Sequence, residues 1–317
     1  MNMNTKVIAV VGSGLIGQGW ALVFGRAGFS VQMWDESSTA MSKALETMRH
    51  LATELQSCGL ISDIDALFSR IKSCESLEAV LQGAQYVQEC LPETLEIKQS
   101  IFRKMDVIVP RRVVLASSTS SIPSSAFTEQ LAGRDRCLVA HPVNPPYLIP
   151  VVEISGSPWT SADAIESTVQ IMHLIKQKPV VVKREIEGFI LNRLQGAVLR
   201  EAFRLVEQGY VDAEGLDTTL RDGLGLRWSF MGPFETIDLN APDGLSDYCA
   251  RYGELYRRIS EEQTSTAPWS QALIDLLHQD RRTQVPQEEM ASRRIWRDRR
   301  LMALAVHKKE MVDKGIV

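Results

Sequence analysis

The sequence has few of the features that mark a secreted, metal-binding or disulfide-rich protein. Its 317 residues include only five cysteines, which are odd in number, widely scattered and never arranged as CxxC. This pattern argues against a disulfide framework or a zinc site and is typical of a reducing compartment. We therefore expect a cytoplasmic protein with no metal centre.

An excess of charge of one sign is also missing. The 35 basic and 39 acidic residues give a formal net charge of −4. Nucleic-acid-binding domains normally carry a basic footprint, so the composition predicts no nucleic-acid partner. Seven basic residues cluster in the last predicted helix, Glu288–Met311, but no aromatic or nucleic-acid motif accompanies them. We interpret that cluster as a solvated helix face.

No uninterrupted apolar run is long enough to cross a membrane. The stretch Val7–Gly25 carries no charged residue, but four glycines, Ser13 and Gln18 break it. It also lacks the form of a signal peptide, because Lys6 is the only basic residue before it and no cleavage site follows. We expect a soluble protein with no membrane partner.

The first part of the chain alternates between strand-like and helical patterns. Short β-branched runs recur up to about Lys183, with helical patterns such as Leu95–Met105 between several of them. The strand-like runs are Val7–Val11, Val31–Trp34, Tyr86–Cys90, Val113–Ser117, Cys137–His141, Val151–Ile154 and Val180–Val182. This alternation predicts a Rossmann-type, doubly wound α/β fold with a mostly parallel sheet.

The second part of the chain has only helical patterns. They begin after Gly188 and are Phe189–Gln208, Ala213–Arg221, Leu245–Ile259, Trp269–Leu277 and Glu288–Met311. We predict an α/β nucleotide-binding domain over residues 1–186 and an all-α domain over residues 187–317.

A glycine-rich turn follows the first predicted strand. The segment Lys6–Gly17 reads KVIAVVGSGLIG and contains G-x-G-x-x-G between a strand and a helix. In this motif Gly12 allows the tight turn, Gly14 lets the backbone approach a pyrophosphate, and Gly17 permits close packing of helix on strand. The context predicts a dinucleotide site at a helix N-terminus.

The second predicted strand ends in a carboxylate that indicates which dinucleotide binds. Asp35 lies 18 residues after Gly17, near the position of an acid that binds the adenosine ribose. A carboxylate accepts hydrogen bonds from the 2′-hydroxyl and repels a 2′-phosphate, and Glu36 adds to that repulsion. We therefore predict NAD rather than NADP as the cofactor.

Polar side chains that suit proton transfer follow other predicted strands. His141 closes one strand, Asn144 is close to it, and Glu153 lies beyond a proline-rich loop. Histidine is the usual acid or base near neutral pH, and a carboxylate on its second nitrogen fixes the tautomer. Ser120 and Asn192 are further candidates for holding a substrate oxygen. Each also fits a structural role: a strand-end histidine, a Ser/Thr turn, a helix-surface asparagine.

Taken together, these segments resemble the NAD-dependent L-3-hydroxyacyl-CoA dehydrogenase superfamily. The motifs are GxGxxG with the later acid, PETLEIK, SSTSS, HPVNP…VVE and GFILNRL, all in order. QECLPE and GLGLRWSFMGPFET are similar to its lambda-crystallin branch, whose enzymatic form is L-gulonate 3-dehydrogenase. One departure from the acyl-CoA enzymes is Ser118, where those enzymes usually have asparagine.

The resemblance implies roles for individual residues. It implies that His141 is the base and Glu153 its partner, and that Ser120 and Asn192 hold and polarise the reacting oxygen. It also implies a homodimer formed through the helical domain.

The same resemblance implies which residues surround the cofactor. Leu15, Ile16 and Asp35 would lie against NAD, and Glu93 and Lys98 would complete its site.

A second departure is the longer segment Gly223–Gly232, which contains Arg227. A guanidinium group binds a carboxylate through two charge-assisted hydrogen bonds, whereas a thioester offers no such charge. If Arg227 faces the site, a free 3-hydroxy acid is favoured as substrate. If it is a surface residue, 3-hydroxyacyl-CoA such as 3-hydroxybutyryl-CoA stays open, and so does a non-catalytic NAD-binding protein.

Overall fold

The structure is a computed structural model that describes residues 6–316. Within this range the first part of the chain forms one eight-stranded sheet. The strands are β1 (Val7–Val11), β2 (Ser30–Trp34), β3 (Ile71–Ser73), β4 (Ala84–Glu89), β5 (Val114–Ser117), β6 (Cys137–Pro142), β7 (Val151–Gly156) and β8 (Lys178–Val182).

The order of the strands in the sheet is β3-β2-β1-β4-β5-β6-β7-β8. The first six run parallel, β7 pairs antiparallel with β6, and β8 pairs parallel with β7. The chain order reverses between β1 and β4, and ligands of open α/β sheets bind at such a reversal, beyond the carboxyl ends of the strands. The doubly wound, mostly parallel fold predicted from the sequence is confirmed.

Helices cover both faces of this sheet, because its central strands are apolar on both sides. In β1, Ile8 and Val10 belong to one buried cluster while Ala9 and Val11 belong to another, as the two-residue period of a strand requires. The helices of this part are α1 (Leu15–Arg26), α2 (Ser38–Ser57), α3 (Ile64–Phe68), α4 (Leu77–Leu81), α5 (Leu95–Ile108), α6 (Ser124–Thr128) and α7 (Ala162–Leu174).

The chain after β8 is helical within the described range, as predicted. Its helices are α8 (Leu191–Glu207), α9 (Ala213–Thr218), α10 (Gly225–Trp228), α11 (Pro233–Asp238), α12 (Gly244–Glu262), α13 (Gln271–Gln284) and α14 (Met290–Asp313). A π-helical segment, Thr219–Leu224, connects α9 to α10. Among residues 6–316, no helix combines the length and the apolar character needed to span a membrane.

The chain divides into two compact units. The first unit contains the residues up to Arg193 together with those from Arg294 onward, and the second unit is Leu194–Arg293. Most of α14 therefore belongs to the first unit, where Met302 packs into the core cluster that also contains Phe24. The predicted division at residues 186 and 187, with α14 in the helical domain, stays a prediction.

Candidate active site

Two glycines of the turn between β1 and α1 are required by close backbone contacts. Gly12 has φ +108°, and a Cβ there would lie 2.7 Å from the carbonyl oxygen of Cys90. A Cβ on Gly17 would lie 2.0 Å from the carbonyl oxygen of Gly12. Both positions therefore exclude any larger residue without a backbone shift.

Gly14, the second glycine of the motif, faces open space. A Cβ on Gly14 would meet no atom within 4 Å, and Gly14 precedes α1 without a side-chain cap. The N–H groups of the first helical turn have no partner within the helix, which makes this end a site for an anion. The residues therefore fit the pyrophosphate of a dinucleotide.

A cavity of about 1020 Å³ lies in front of this turn. Gly14, Leu15 and Asp35 line it, and Leu15 is 68% exposed. Ile16, the next residue, instead packs against the core. α5 also contributes to the lining, through Ile97 and three other residues.

Asp35 lies at the end of β2, where the turn fixes its carboxylate. The backbone N–H and the hydroxyl of Ser13 both donate to Oδ2 at 2.8 Å, and Ser37 N–H donates to Oδ1 at 3.0 Å. Burial raises the pKa of Asp35, but these hydrogen bonds outweigh burial, and its pKa lies below the usual value. The carboxylate is thus charged and held at the rim of the cavity.

Glu93 accepts hydrogen bonds from several groups of the Ser/Thr loop that follows β5. Its Oε1 accepts hydrogen bonds from Thr119 Oγ1 at 2.6 Å, from the N–H and hydroxyl of Ser121 at 3.0 Å, and from Ser120 N–H at 2.9 Å. The Ser120 hydroxyl makes the longest contact, at 3.2 Å. Burial raises the pKa of Glu93, whereas the Thr119 hydrogen bond and the Lys98 charge lower it, with a net lowering.

Lys98 lies beneath this loop and is only 1% exposed. Its ammonium group donates to Glu89 Oε1 at 2.8 Å and to the carbonyl of Leu91 at 2.9 Å, and it lies 3.9 Å from Glu93 Oε2. Ser117 also donates to Glu89, at 2.5 Å. Lys98 therefore fixes the backbone at Leu91, which lines the cavity. Its predicted contact with NAD stays a prediction.

His141 and Glu153 face each other across the antiparallel pair β6 and β7. They are register partners, and directly opposed side chains of such a pair lie close enough to interact. His141 Nδ1 is 2.9 Å from Glu153 Oε2, and both side chains are buried. Burial raises the pKa of Glu153, but the hydrogen bonds from His141 and from two backbone N–H groups lower it below its usual value.

The second oxygen of Glu153 holds the N-terminus of α8. Oε1 accepts hydrogen bonds from Ile190 N–H at 2.7 Å and Leu191 N–H at 2.9 Å. The preceding turn contains Gly188 at φ +72° and Phe189 at φ +48°, a conformation uncommon for a non-glycine residue. Phe189 is fully buried, with its ring centroid 5.5 Å from that of His141.

Five of the predicted site residues, all in the first unit, are connected by a path of hydrogen bonds and the backbone at the start of α8. Asn192, next to Leu191 on α8, donates from Nδ2 to the carbonyl of Ser120 at 2.7 Å. The path therefore runs from His141 through Glu153 and the start of α8 to Ser120 and on to Glu93. Asn144 is exposed in the loop after β6.

Arg227 lies in α10 of the second unit, where it is half-buried. Its predicted contact with the substrate stays a prediction.

Sequence reasoning missed several residues that organise the site. Glu89, Thr119 and Phe189 lie in the segments QECLPE, SSTSS and GFILNRL, but none of the three was given a role in the site. Glu89 ends a strand at the same sheet edge as Asp35 and His141, and this position is the one signal that could have identified it. The contact of Phe189 with His141 depends on the backbone path through Gly188, which no local pattern reveals.

Two family models match this chain and together span most of it. The model described as "3-hydroxyacyl-CoA dehydrogenase, NAD binding domain" matches residues 7–186. The model described as "3-hydroxyacyl-CoA dehydrogenase, C-terminal domain" matches residues 188–286.

Individual proteins are similar over nearly the full length. Lambda-crystallin of Oryctolagus cuniculus is 43% identical over 310 residues, covering 96% of this chain and 97% of that protein. L-carnitine dehydrogenase of Pseudomonas sp is 33% identical over 300 residues, covering 94% and 92%. A solved 5-formyl-3-hydroxy-2-methylpyridine 4-carboxylic acid 5-dehydrogenase, an NAD+ dependent dismutase, is 25% identical with a TM-score of 0.82, covering 94% and 97%.

Proposed function

The chain belongs to the 3-hydroxyacyl-CoA dehydrogenase family, and we propose that it oxidises the 3-hydroxyl of a free hydroxy acid, as an L-gulonate 3-dehydrogenase does. As a member of this family it is an NAD-dependent oxidoreductase acting on a CH–OH group. The observation that carries the proposal is the buried hydrogen bond between His141 and Glu153.

His141 acts as the general base. Its Nδ1 is engaged by Glu153, so Nε2 is the nitrogen that takes the proton of the substrate hydroxyl. The charged carboxylate of Glu153 then stabilises the imidazolium that forms. Bound NAD would supply the hydride acceptor for C3, and loss of that hydride together with the proton taken by His141 converts the alcohol to a ketone.

Ser120 and Asn192 hold the reacting oxygen. Of the five hydrogen bonds that Glu93 Oε1 accepts, the one from the Ser120 hydroxyl is the longest. This hydroxyl is therefore the donor that can most easily turn to a substrate oxygen instead. Asn192 uses one amide N–H on the Ser120 carbonyl, which leaves its second N–H for the substrate. Asn144, exposed in the loop after His141, is a further substrate contact.

The residues that line the cavity in front of the glycine turn would hold NAD. Gly14 lets the backbone approach the pyrophosphate, while Gly12 and Gly17 allow the tight turn and the close helix packing that hold it there. Leu15 and Ile16 begin the helix beside it. Asp35 accepts hydrogen bonds from the adenosine ribose. Glu93 and Lys98 complete the site by holding the loop at its edge. These roles are supported by the open position at Gly14 and the fixed carboxylate of Asp35.

Arg227 is the residue proposed to bind the carboxylate of a free hydroxy acid, because a guanidinium pairs with a carboxylate through two charge-assisted hydrogen bonds. L-carnitine, named in one similar relative, is itself a free 3-hydroxy carboxylate. The alternative is 3-hydroxyacyl-CoA, such as 3-hydroxybutyryl-CoA, which the family models favour.

A side-by-side assay of L-gulonate, 3-hydroxybutyrate and 3-hydroxybutyryl-CoA distinguishes the two substrate classes. We expect turnover of a free acid, and a loss in kcat/KM of about 10²-fold for Arg227→Met with that acid but little change with the thioester. Arg221→Met, an exposed arginine nearby in sequence, is the matched control. Equal losses on both substrates would count against carboxylate recognition, and NAD binding without any turnover would indicate a non-catalytic protein.

The protein is cytoplasmic and forms a homodimer through its helical part. The cysteines support a cytoplasmic location, since none of the five forms a disulfide in the part of the chain that the structure describes. Large exposed apolar side chains in the second unit, such as Phe230 and Phe234, support a homodimer.

A further inference from the structure

The loop Val143–Pro150 joins the two strands that carry the His–Glu pair. His141 lies just before this loop and Glu153 shortly after it, and the loop itself contains Asn144. Any movement of the loop therefore changes the position of a proposed substrate contact and the ends of both strands.

Tyr147 fixes this loop at two points. Its carbonyl accepts a hydrogen bond from Arg26 of α1 at 2.8 Å, and its hydroxyl donates to Asp298 Oδ2 of α14 at 3.1 Å. Tyr147 is only 8% exposed. Burial, followed by the charge of Asp298, raises the pKa of Tyr147, so its hydroxyl stays protonated and remains a donor.

The helix α14 is itself firmly held on the first unit. Arg299 donates from two nitrogens to the carboxylate of Glu54 on α2, at 2.8 and 3.0 Å. Met302 is 1% exposed within the core, with its sulfur 3.9 Å from that of Cys58. Arg297 engages the other oxygen of Asp298, which leaves Oδ2 aimed at the tyrosine.

This helix lies beyond residue 286, where the match to the second family model ends. We propose that α14 positions the catalytic loop through the hydrogen bond between Asp298 and Tyr147, which makes both of them positioning residues. The inference rests on the proposed function, because it takes the His141–Glu153 pair and Asn144 as the groups being positioned.

The test uses Tyr147→Phe, Asp298→Ala and their combination, with Asp298→Asn as the conservative variant. We expect each of the first two to lower kcat/KM for the hydroxy acid about tenfold through misplacement of the loop, while the Kd for NAD is unchanged. The double variant loses no more than either single one, because both remove the same contact. Asp298→Asn keeps an acceptor oxygen and recovers most of the activity.

Arg299→Ala is the matched control, since it removes a different polar contact of the same helix, to Glu54, without touching the loop. It lowers the Tm but leaves kcat/KM unchanged. An equal loss of kcat/KM in this control, or additive losses in the double variant, would show that the hydrogen bond between Tyr147 and Asp298 has only a structural role. Either result would overturn the inference.

Hydrogen–deuterium exchange gives a readout that needs no substrate. The amides of Val143, Leu148 and Ile149 are hydrogen-bonded within the loop and its base, and they exchange faster in Tyr147→Phe than in Arg299→Ala. Unchanged exchange at these amides overturns the inference. If the wild-type protein turns over no hydroxy acid, the proposed function fails. The exchange experiment still decides whether the hydrogen bond between Tyr147 and Asp298 holds the loop in place.

Discussion

At the scale of single residues, Glu153 joins two parts of the candidate site. One oxygen fixes the ring of His141 and the other accepts the first N–H groups of α8. A charged carboxylate is stabilised at a helix N-terminus, so the helix favours the ionised form that the histidine needs. The same group thus sets the orientation of the base and the start of the helix that carries Asn192.

The first prediction concerns the base. His141→Ala removes the proton acceptor that Glu153 orients, so we expect turnover to fall by about 10²-fold or more while NAD affinity is kept. The matched control is His173→Ala, because His173 is exposed on α7. Steady-state kinetics and an NAD titration measure the two quantities. Near-normal turnover in the first variant would remove His141 from the catalytic role.

Sequence reasoning proposed the polar residues of the site from their positions at strand ends. Asp35 directly follows β2, and His141 lies near the end of β6, as expected for polar residues that follow apolar runs. The sequence could not locate Phe189 against the histidine, since a positive φ at a phenylalanine goes against local preference. It also could not reveal that Glu93 faces five donors of one loop, because that contact joins residues far apart in the chain.

At the scale of elements, the turn from β1 to α1 uses its glycines for different reasons. Gly17 is needed for packing, since a Cβ there would overlap the carbonyl of Gly12. Gly14 is free of such contacts, so only a ligand would need it to be small.

Replacing Gly17 or Gly14 by alanine should affect stability and NAD binding differently. Gly17→Ala should lower the Tm markedly, because the overlap at 2.0 Å forces a backbone shift. Gly14→Ala should leave the Tm of the ligand-free protein nearly unchanged but weaken NAD binding about tenfold or more by blocking the backbone approach. Thermal melts and NAD titrations measure both effects. A Gly14→Ala protein that binds NAD normally would contradict the assignment of the turn.

Most elements followed from local patterns, and the exceptions have physical causes. β3 was not predicted because Ile71–Ser73 has three residues and only one of them is buried. The reversed direction of β7 was not predicted either, because a strand pattern carries no direction and the proline-rich loop before it fits several geometries. Pattern alone likewise could not assign α14 to the first unit, because its contacts with α2 span more than two hundred residues of chain.

At the scale of the whole molecule, three site carboxylates link stability to pH. The pKa values of Asp35, Glu93 and Glu153 are lowered in the folded protein, so the unfolded chain binds their protons more tightly. Their stabilisation is complete above the unfolded values of 3.8 and 4.5 and is lost as the pH falls through the lower folded values. Burial raises the pKa of Glu89 in the folded protein. The contribution of Glu89 to stability is therefore lost as the pH rises through its folded pKa.

We therefore expect the free energy of unfolding to fall steeply below a pH of about 4, as measured by urea denaturation across a pH series. Glu93→Gln keeps an acceptor oxygen but no longer titrates, so its stability should depend less on pH in this range. Glu96→Gln, an exposed carboxylate on α5, is the control. An acid slope in the Glu93 variant equal to that of the wild type would contradict the linkage.

The last prediction concerns assembly. In the second unit, Phe230 and Phe234 are 73% and 75% exposed, and contiguous exposed apolar surface commonly marks a protein interface. Sedimentation equilibrium should therefore give twice the mass of one chain. Phe234→Asp would bury a charge in that interface and should raise the dimer dissociation constant about 10- to 100-fold. Val107→Asp, at an apolar side chain of α5 that is 86% exposed in the first unit, should leave the mass unchanged. A wild-type mass of one chain would refute the homodimer, and equal dissociation by both variants would refute its location.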